Sequence, residues 1–465
     1  MHYLAVAYFF GETSEIWRWD SRLDAGFSLW QTVPSKAGHA WRHFTVGTRD
    51  YLALANYRSW PSSGPCVDVA AAELEDELGG CPPITEQNST IWEWSASANR
   101  SQGSFVQMQE IVTFGANAWE AFNISGVHYL AVANSHRNVT NAADQGDVRS
   151  AIYRWSGHEY VPVQSIMTHM ALDVKHFLIA GSHYLAFANS PCFRPVAQHQ
   201  SPVFRWNGSA FAPFQVVKTS GATGWEHFTI AGEDFLVVAN RLCPTTGHKC
   251  TSEVFKWSGS IFVHNQSIQT NGAYDWEHFE IANKHFLVVA NNADTTSAVL
   301  MWTGAQFAPY QLLPTNGAEQ WRHFTAGADH YLAVAQMASG NQTSQIFKWH
   351  PSPAAKSDDH QISLALSSTS TQIGNLAGLW RSQTMYQDWM EPPHDAGWLR
   401  LRQNWPSVPQ WSWPSAYNKT DLFTSEMCTD GLLGGWNAGT PGNRPPTNPP
   451  DPSQDVAYKT ADGSL

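Results

Sequence analysis

Short apolar runs recur along this chain at a nearly constant interval. HYLAVA at His2–Ala7 returns as YLALAN from Tyr51, HYLAVAN from His128, HYLAFAN from His183, DFLVVAN from Asp234, HFLVVAN from His285 and HYLAVAQ from His330. The leucines stand at 4, 52, 130, 185, 236, 287 and 332, a period of about 50 residues broken by one large insertion, Arg58–Gln87. Each copy is followed by an apolar-aromatic string ending in Trp, at Trp19, Trp94, Trp155, Trp206, Trp257, Trp302 and Trp349. Next comes an aromatic with Gln close behind, as in Phe211–Gln215, Phe262–Gln266 and Phe307–Gln311. The last string reads Trp-x-His-Phe from Trp41, Trp225, Trp276 and Trp321, with variants at Trp119 and Val174.

Every string is short, rich in β-branched and aromatic residues, and bounded by turn signals such as Asn271-Gly272 and Asn316-Gly317. The pattern predicts four strands per unit. A lone four-stranded sheet leaves both faces bare, whereas seven packed radially cover one another, so the sequence predicts an all-β fold, a seven-bladed β-propeller of four-stranded antiparallel blades, over residues 1–366. Alternation along YLAVAN puts Tyr, Ala and Ala on one face, where small side chains admit a neighbour's rings. The strings supply 26 strands where 28 are needed, because the first Trp-x-His-Phe and the last outer strand lack a match. Ile362–Leu366 is expected to be that outer strand. The gap at blade 1 has two readings: a segment between Gln372 and Arg381 returns to blade 1 and locks the ring, or, the preferred expectation, the sequence is an N-terminally truncated version of a longer protein.

Composition changes the picture at the C-terminus. Residues 351–465 hold half of the 26 prolines and seven Trp without the repeat, so 367–465 reads as a Pro/Trp-rich tail, irregular and in part disordered. A net charge of −12 offers a polyanion no basic field, which argues against nucleic acid. No apolar run is long enough to span a membrane, and Met1–Phe10 lacks the basic leader of a signal peptide. Six Cys without a CxxC give no zinc ribbon or redox motif, but two pairs, Cys66 with Cys81 and Cys243 with Cys250, each bracket a short loop suited to a disulfide.

WD40 and kelch signatures fit badly. The order Trp-x-His-Phe, YLAVAN, aromatic-basic-Trp, Phe-with-Gln resembles the epilepsy-associated repeat, also called EAR or EPTP, as in the propellers of leucine-rich glioma-inactivated proteins. The resemblance covers Met1 to about Trp349 and departs at the insertion, the incomplete first blade and the tail. It implies a non-enzymatic module without cofactor, secreted or on the cell surface, that takes part in signalling by binding a protein such as a receptor ectodomain or a matrix protein. Eight sequons, at Asn88, Asn99, Asn123, Asn138, Asn207, Asn265, Asn341 and Asn418, suit a glycoprotein.

The inner string repeats a His at His43, His176, His227, His278 and His323, with Ala121 as the exception. Such a ring could bind metal, but a repeated His is expected to be structural, hydrogen-bonding to the next blade. The residue before it is always charged: Arg42, Glu120, Lys175, Glu226, Glu277 and Arg322. Four of the five successive pairs are of opposite sign, which predicts an inter-blade belt. Glu226 and Glu277 are the adjacent like-charged pair and would carry the alternative function, a glycosidase-like enzyme. A purely structural spacer is the third reading. One imperfect sialidase-type box at Asp24–Trp30 stands alone, and no hydrolase elbow, P-loop or zinc-protease motif occurs. Contact regions are expected in Arg58–Gln87, Ser135–Val148 and Ser190–Gln200, with Trp60, Glu73, Glu75 and Glu77 as candidate binding residues.

Overall fold

A computed structural model describes residues 2–9, 11–20, 26–59, 85–96, 103–136, 147–190, 200–243, 246–336, 344–350 and 397–401. They form seven antiparallel sheets. Blade 1 holds β1 (Tyr3–Val6), β2 (Thr13–Asp20) and β3 (Gly26–Pro34), and blade 2 holds β4 (Gly38–Val46), β5 (Arg49–Asn56), β6 (Glu86–Ser95) and β7 (Ser104–Phe114). Blade 3 runs through β8 (Ala116–Ile124), β9 (Val127–Asn134), β10 (Asp147–Trp155) and β11 (Tyr160–His169). Blade 4 comprises β12 (Ala171–Ile179), β13 (Ser182–Asn189), β14 (Gln200–Trp206) and β15 (Phe211–Lys218). Blade 5 is β16 (Ala222–Ile230), β17 (Glu233–Asn240), β18 (Lys249–Trp257) and β19 (Phe262–Asn271). In blade 6 come β20 (Ala273–Ile281), β21 (Lys284–Asn291), β22 (Thr296–Trp302) and β23 (Phe307–Pro314). Blade 7 pairs β24 (Ala318–Ala326), β25 (Asp329–Gln336), β26 (Gln345–His350) and β27 (Gly397–Leu401).

The Trp-x-His-Phe strands β4, β8, β12, β16, β20 and β24 each pack on the next and line the axis of a seven-bladed propeller. Between blades, the Tyr/Ala/Ala face of one sheet meets the aromatic face of its neighbour. Tyr51, Ala53 and Ala55 pack on Trp119, Leu130, Val132 and Tyr153, and Tyr129, Ala131 and Ala133 pack on Leu185, Phe187 and Phe204. Alanine methyls leave room there for bulky rings, so the apolar area is buried without voids. The ring closes where Trp17 and Phe27 of blade 1 meet Tyr331 and Ile346 of blade 7.

One expectation about closure changes. The fourth strand of blade 7 is β27, with Trp398 opposite Trp349 and Leu401 opposite Ile346, so the edge expected for Ile362–Leu366 is filled from beyond residue 366. An apolar-aromatic segment alternating with the right phase satisfies the open edge of β26, and proximity in sequence is not required. Ile362–Leu366 and Gln372–Arg381 lie outside the described residues. The chain divides into compact units at 1–412 and 413–465, the second wholly outside those residues.

Candidate functional site

Strand direction sorts the connections onto two faces. Along each blade the first-to-second turns, 47–48, 125–126, 180–181, 231–232, 282–283 and 327–328, are all two residues long and fall on one face. Ala180-Gly181 and Ala231-Gly232 have both φ angles positive, the geometry that two-residue hairpins demand. The second-to-third connections, 57–85, 135–146, 190–199, 241–248, 292–295 and 337–344, leave from the opposite face and differ widely in length. That face also carries the starts of the inner strands. There each inner strand bulges at its second residue: His39, Asn117, Leu172, Thr223, Tyr274 and Glu319 interrupt the pairing register in all six. A bulge re-aims a side chain, and these six differ in chemistry while the positions after them repeat.

Around the channel mouth the bulge residues and the first connection residues form two polar-aromatic groups. In one, His39 Nδ1 donates to the Asn117 carbonyl (2.9 Å), Asn117 Nδ2 donates to Ser135 Oγ (2.7 Å), and the Tyr57 hydroxyl shares a 3.2 Å hydrogen bond with His136 Nδ1. The Arg58 guanidinium lies over Phe9 and Tyr57, at 5.2 and 5.5 Å from the ring centres. Burial pushes His39 and His136 down to about 4, with Arg58 adding to the shift at His136. In the other, Arg241 lies over Tyr274, burial raises the Tyr274 hydroxyl, and burial raises Glu319 to about 7 although the Arg241 charge opposes it. Thr223 Oγ1 donates to the Ala273 carbonyl of the next blade (2.9 Å).

Deeper in the channel the charged belt takes shape. Arg42 pairs with Glu120 (2.5 Å), Lys175 with Glu226, and Arg322 with both Glu277 (3.0 Å) and Asp275 (3.2 Å). Glu120 and Glu277 also accept the backbone N–H of the next blade's histidine, His176 and His323. Burial raises Glu226 and Asp275 to about 7, against the pull of Lys175 and Arg322. Both oxygens of Glu277 are engaged, by Arg322 and by the His323 N–H, so the Glu226/Glu277 pair is tied into the inter-blade belt. The histidines differ from expectation in how they cross between blades. His176, His278 and His323 bond through Nε2 to His183, His285 and His330 in their own hairpins and His43 bonds to Asp50, while His227 Nε2 approaches Asp234 to 3.2 Å without hydrogen-bond geometry. The crossing contact is a ring stack: His176 on Phe122, His227 on Phe177, His278 on Phe228 and His323 on Phe279, with centroids 4.5, 4.8, 4.6 and 5.1 Å apart. A stack tolerates the neutral ring that burial enforces, and His176 and His278 are pushed down to about 3. Among the described residues no group of three or more His, Cys, Asp or Glu is arranged to hold a metal.

The Gln string was visible in the sequence, but its role was not. Gln31, Gln109, Gln164, Gln215 and Gln266 each reach forward to the next blade, where the amide donates to the carbonyl and accepts from the N–H of Phe105, Tyr160, Phe211, Phe262 and Phe307. A primary amide matches a peptide group in both donor and acceptor, which is why Gln recurs. On blade 5 an open concavity of about 330 Å³ contains Glu253, His264 and Ser267. His264 Nε2 faces both Glu253 Oε2 (2.8 Å) and Ser267 Oγ (3.1 Å), whereas a hydrolase relay uses a different ring nitrogen for each.

Of the two disulfides expected from loop spacing, the structure places one. Cys243 and Cys250 are bonded, with Cα atoms 5.4 Å apart. The other expected bond, Cys66 to Cys81, is not among the described disulfides, because Cys66 and Cys81 both lie outside the described residues. Of the sequon asparagines, Asn88, Asn123, Asn207 and Asn265 are exposed, and Asn207 caps a turn by accepting from Ser209 and Ala210. Asn99, Asn138, Asn341 and Asn418, together with Trp60, Glu73, Glu75 and Glu77, lie outside the described residues, as does most of each expected contact loop. The ends of the insertion are structural: Arg58 is buried, and Gln87 lies in β6. No described helix is long and apolar enough to cross a membrane.

Two curated relatives are the thrombospondin-type laminin G domain and EAR repeat-containing proteins of Mus musculus and Homo sapiens. Each is 33% identical, over 48% and 47% of this chain, and the chain spans about a third of their length (35% and 34%). A solved structure from Bacteroides uniformis, a "putative 6-phosphogluconolactonase", superposes with TM-score 0.51 at 11% identity over 77% of this chain and 95% of that one, a likeness of fold alone. Matches to the EPTP domain fall at 26–67, 104–156, 159–207, 210–258, 261–303 and 306–350, more than half of the chain. Each match takes the outer strand of one blade together with the inner strands of the next, six times in succession, and the chain belongs to the EPTP domain family.

Proposed function

We propose that this propeller is a recognition module that binds a protein partner, a receptor ectodomain or matrix protein, through the loop-bearing face, and that it works outside the cell. One observation carries the reading: the second-to-third connections, all on one face, differ widely in length, from four residues at 292–295 to the long insertion at 57–85. The tight hairpins of the opposite face are uniform, whereas the loop-bearing face combines connections of unequal length with six bulge residues of unlike chemistry. A rigid scaffold that carries such unlike connections and side chains on one face is built to present a specific surface there. The disulfide and the exposed sequon asparagines support an oxidising, secretory setting.

The test removes the longest connection without touching its buried anchors. Residues 60–84 are replaced by a short Gly/Ser linker, which keeps Arg58, Ser59 and Thr85 in place. Affinity capture from surface-protein extracts should then lose a partner that the full chain retains, while the thermal transition stays where it was. Identical capture by both proteins would remove this face's longest loop from recognition.

A further inference from the structure

The outer strands of blades 1 to 6 each carry one bulge, at Trp30, Met108, Val163, Phe214, Asn265 and Tyr310, just before the Gln that reaches toward the next blade. All but one of these residues are apolar or aromatic, and the rings fill a slot at the joint between blades. Phe214 lies 5.2 Å from Tyr184 in its own blade and 6.0 Å from Trp257 in the next, stacked on the indole at 30°. Tyr310 repeats the arrangement, 5.3 Å from Phe286 and 6.2 Å from Trp349, at 25°. The joint between blades 5 and 6 keeps both walls of the slot, Phe235 and Trp302, with centroids 5.4 Å apart and Trp302 half-buried. Its bulge residue is Asn265, which is exposed, makes no side-chain hydrogen bond among the described residues, and begins the sequon Asn265-Gln266-Ser267.

We infer that Asn265 is an N-glycosylation site whose first sugar completes this joint, an N-acetylhexosamine with its apolar ring face on Trp302, in the slot that Phe214 and Tyr310 fill on either side. The inference rests on the reading that the chain works outside the cell. In the transfer, Asn265 Nδ2 displaces a lipid pyrophosphate from C1 of its sugar: the N–C1 bond forms, the C1–O bond to the pyrophosphate breaks, and the amide gives up one proton. A bulge turns its side chain out of the ladder, and β19 is an outer strand, so the added mass has room. Gln266, the middle residue of the sequon, keeps both of its bonds to Phe307, so the amide contact across the joint is undisturbed. Ser267 Oγ donates to Glu253 in the folded blade, so the sequon hydroxyl is engaged once the blade closes and the sugar is added before that. One face of a pyranose is a patch of C–H groups, and laying it on the indole removes apolar area from water as the Phe214 ring does on Trp257. Asn123 and Asn207 instead accept turn N–H groups through Oδ1, and of the four exposed sequon asparagines only Asn265 stands where other blades set a ring against a joint Trp.

For the test, the full chain is secreted from eukaryotic cells behind a cleavable leader, and occupancy is read by peptide mass spectrometry. Asn265 should be occupied. Trimming with an endoglycosidase that leaves only the first sugar should keep the thermal midpoint, whereas Asn265→Gln should lower it by about 2 °C or more. The same substitution in the chain exported to a bacterial periplasm, where no sugar is added, should leave the midpoint unchanged, which separates loss of the sugar from an effect on folding. In that sugar-free chain Asn265→Phe should raise the midpoint by filling the slot, and the gain should vanish in a Trp302→Leu background. An unmodified Asn265 beside an occupied Asn207 would overturn the inference and leave the extracellular reading standing. No sugar at Asn88, Asn123, Asn207 or Asn265 would overturn it and also strip that reading of its sequon support. Equal midpoints for the occupied parent and Asn265→Gln, or no gain from Asn265→Phe, would overturn the contact with Trp302.

Discussion

At the scale of single residues, the molecule is held in register by side chains that imitate backbone. Gln215 is half-buried and satisfies both polar groups of the Phe262 peptide in the next blade, at 2.8 and 2.9 Å. Replacing it with Leu keeps much of the bulk and orphans both groups, so Gln215→Leu should cost ~1–3 kcal/mol in urea denaturation. The neighbouring Val216, 58% exposed, is the control, and Val216→Ala should stay within ~0.5 kcal/mol. The string itself could be read from the sequence because Gln recurs at a fixed step from an aromatic. Its partner could not, since the contact joins residues about a repeat apart and only the packed geometry shows which way the amide reaches. The histidines teach the same lesson. Their recurrence was legible, but the choice between a hydrogen bond and a ring stack depends on the angle between adjacent blades.

At the scale of elements, strand identity was legible and edge completion was not. The YLAVAN strands and the Trp-x-His-Phe strands declare themselves by alternation and repetition. By contrast β27 has no Gln and lies far from β26 in sequence, Gly397 against His350, so its place is set by what fits an open edge. The bulges escaped for a related reason: they are a mismatch of pairing between two strands, and neither strand alone shows it. The connection between β17 and β18 is short enough for its disulfide to act as a local staple. Its pairing was legible because both cysteines flank one strand-to-strand connection. Closing a loop the size of the Cys243–Cys250 one constrains the unfolded chain by about 2–3 kcal/mol in the chain-entropy model. The double substitution Cys243→Ser with Cys250→Ser should therefore lower the unfolding free energy, read from urea denaturation, by up to that amount. Adding a reductant to the parent chain should reproduce the shift.

At the scale of the whole molecule, the channel gathers ionisable groups whose protonation differs between folded and unfolded chains. Burial holds His39, His136, His227 and His323 down to about 4, and His176 and His278 to about 3. Each contributes stability that is present above its ordinary value of 6.5 and is lost as pH falls toward the folded value. Glu226, Asp275 and Glu319, raised to about 7, act in the opposite sense: their contribution is present below the ordinary carboxyl range and is lost as pH rises through 7. Six imidazoles against three carboxyls leave a net uptake of about three protons on unfolding between the two ranges. Stability should therefore fall on acidification from pH 6.5 to 4.5, measured as the urea midpoint at each pH. A midpoint that rises over that interval would mean that the carboxyls dominate.

Blade 1 is joined to its neighbours more thinly than the blades across the ring from it. Among the described residues, Trp17, Phe27, Tyr331 and Ile346 are the four buried in the cluster between blades 7 and 1 and five are buried between blades 1 and 2, where the joint between blades 3 and 4 buries thirteen. A circular wall with one thinly held wedge behaves like a bracelet with a clasp. Tension along the circumference, thermal or mechanical, concentrates at the clasp, and the other six wedges can stay assembled while it opens.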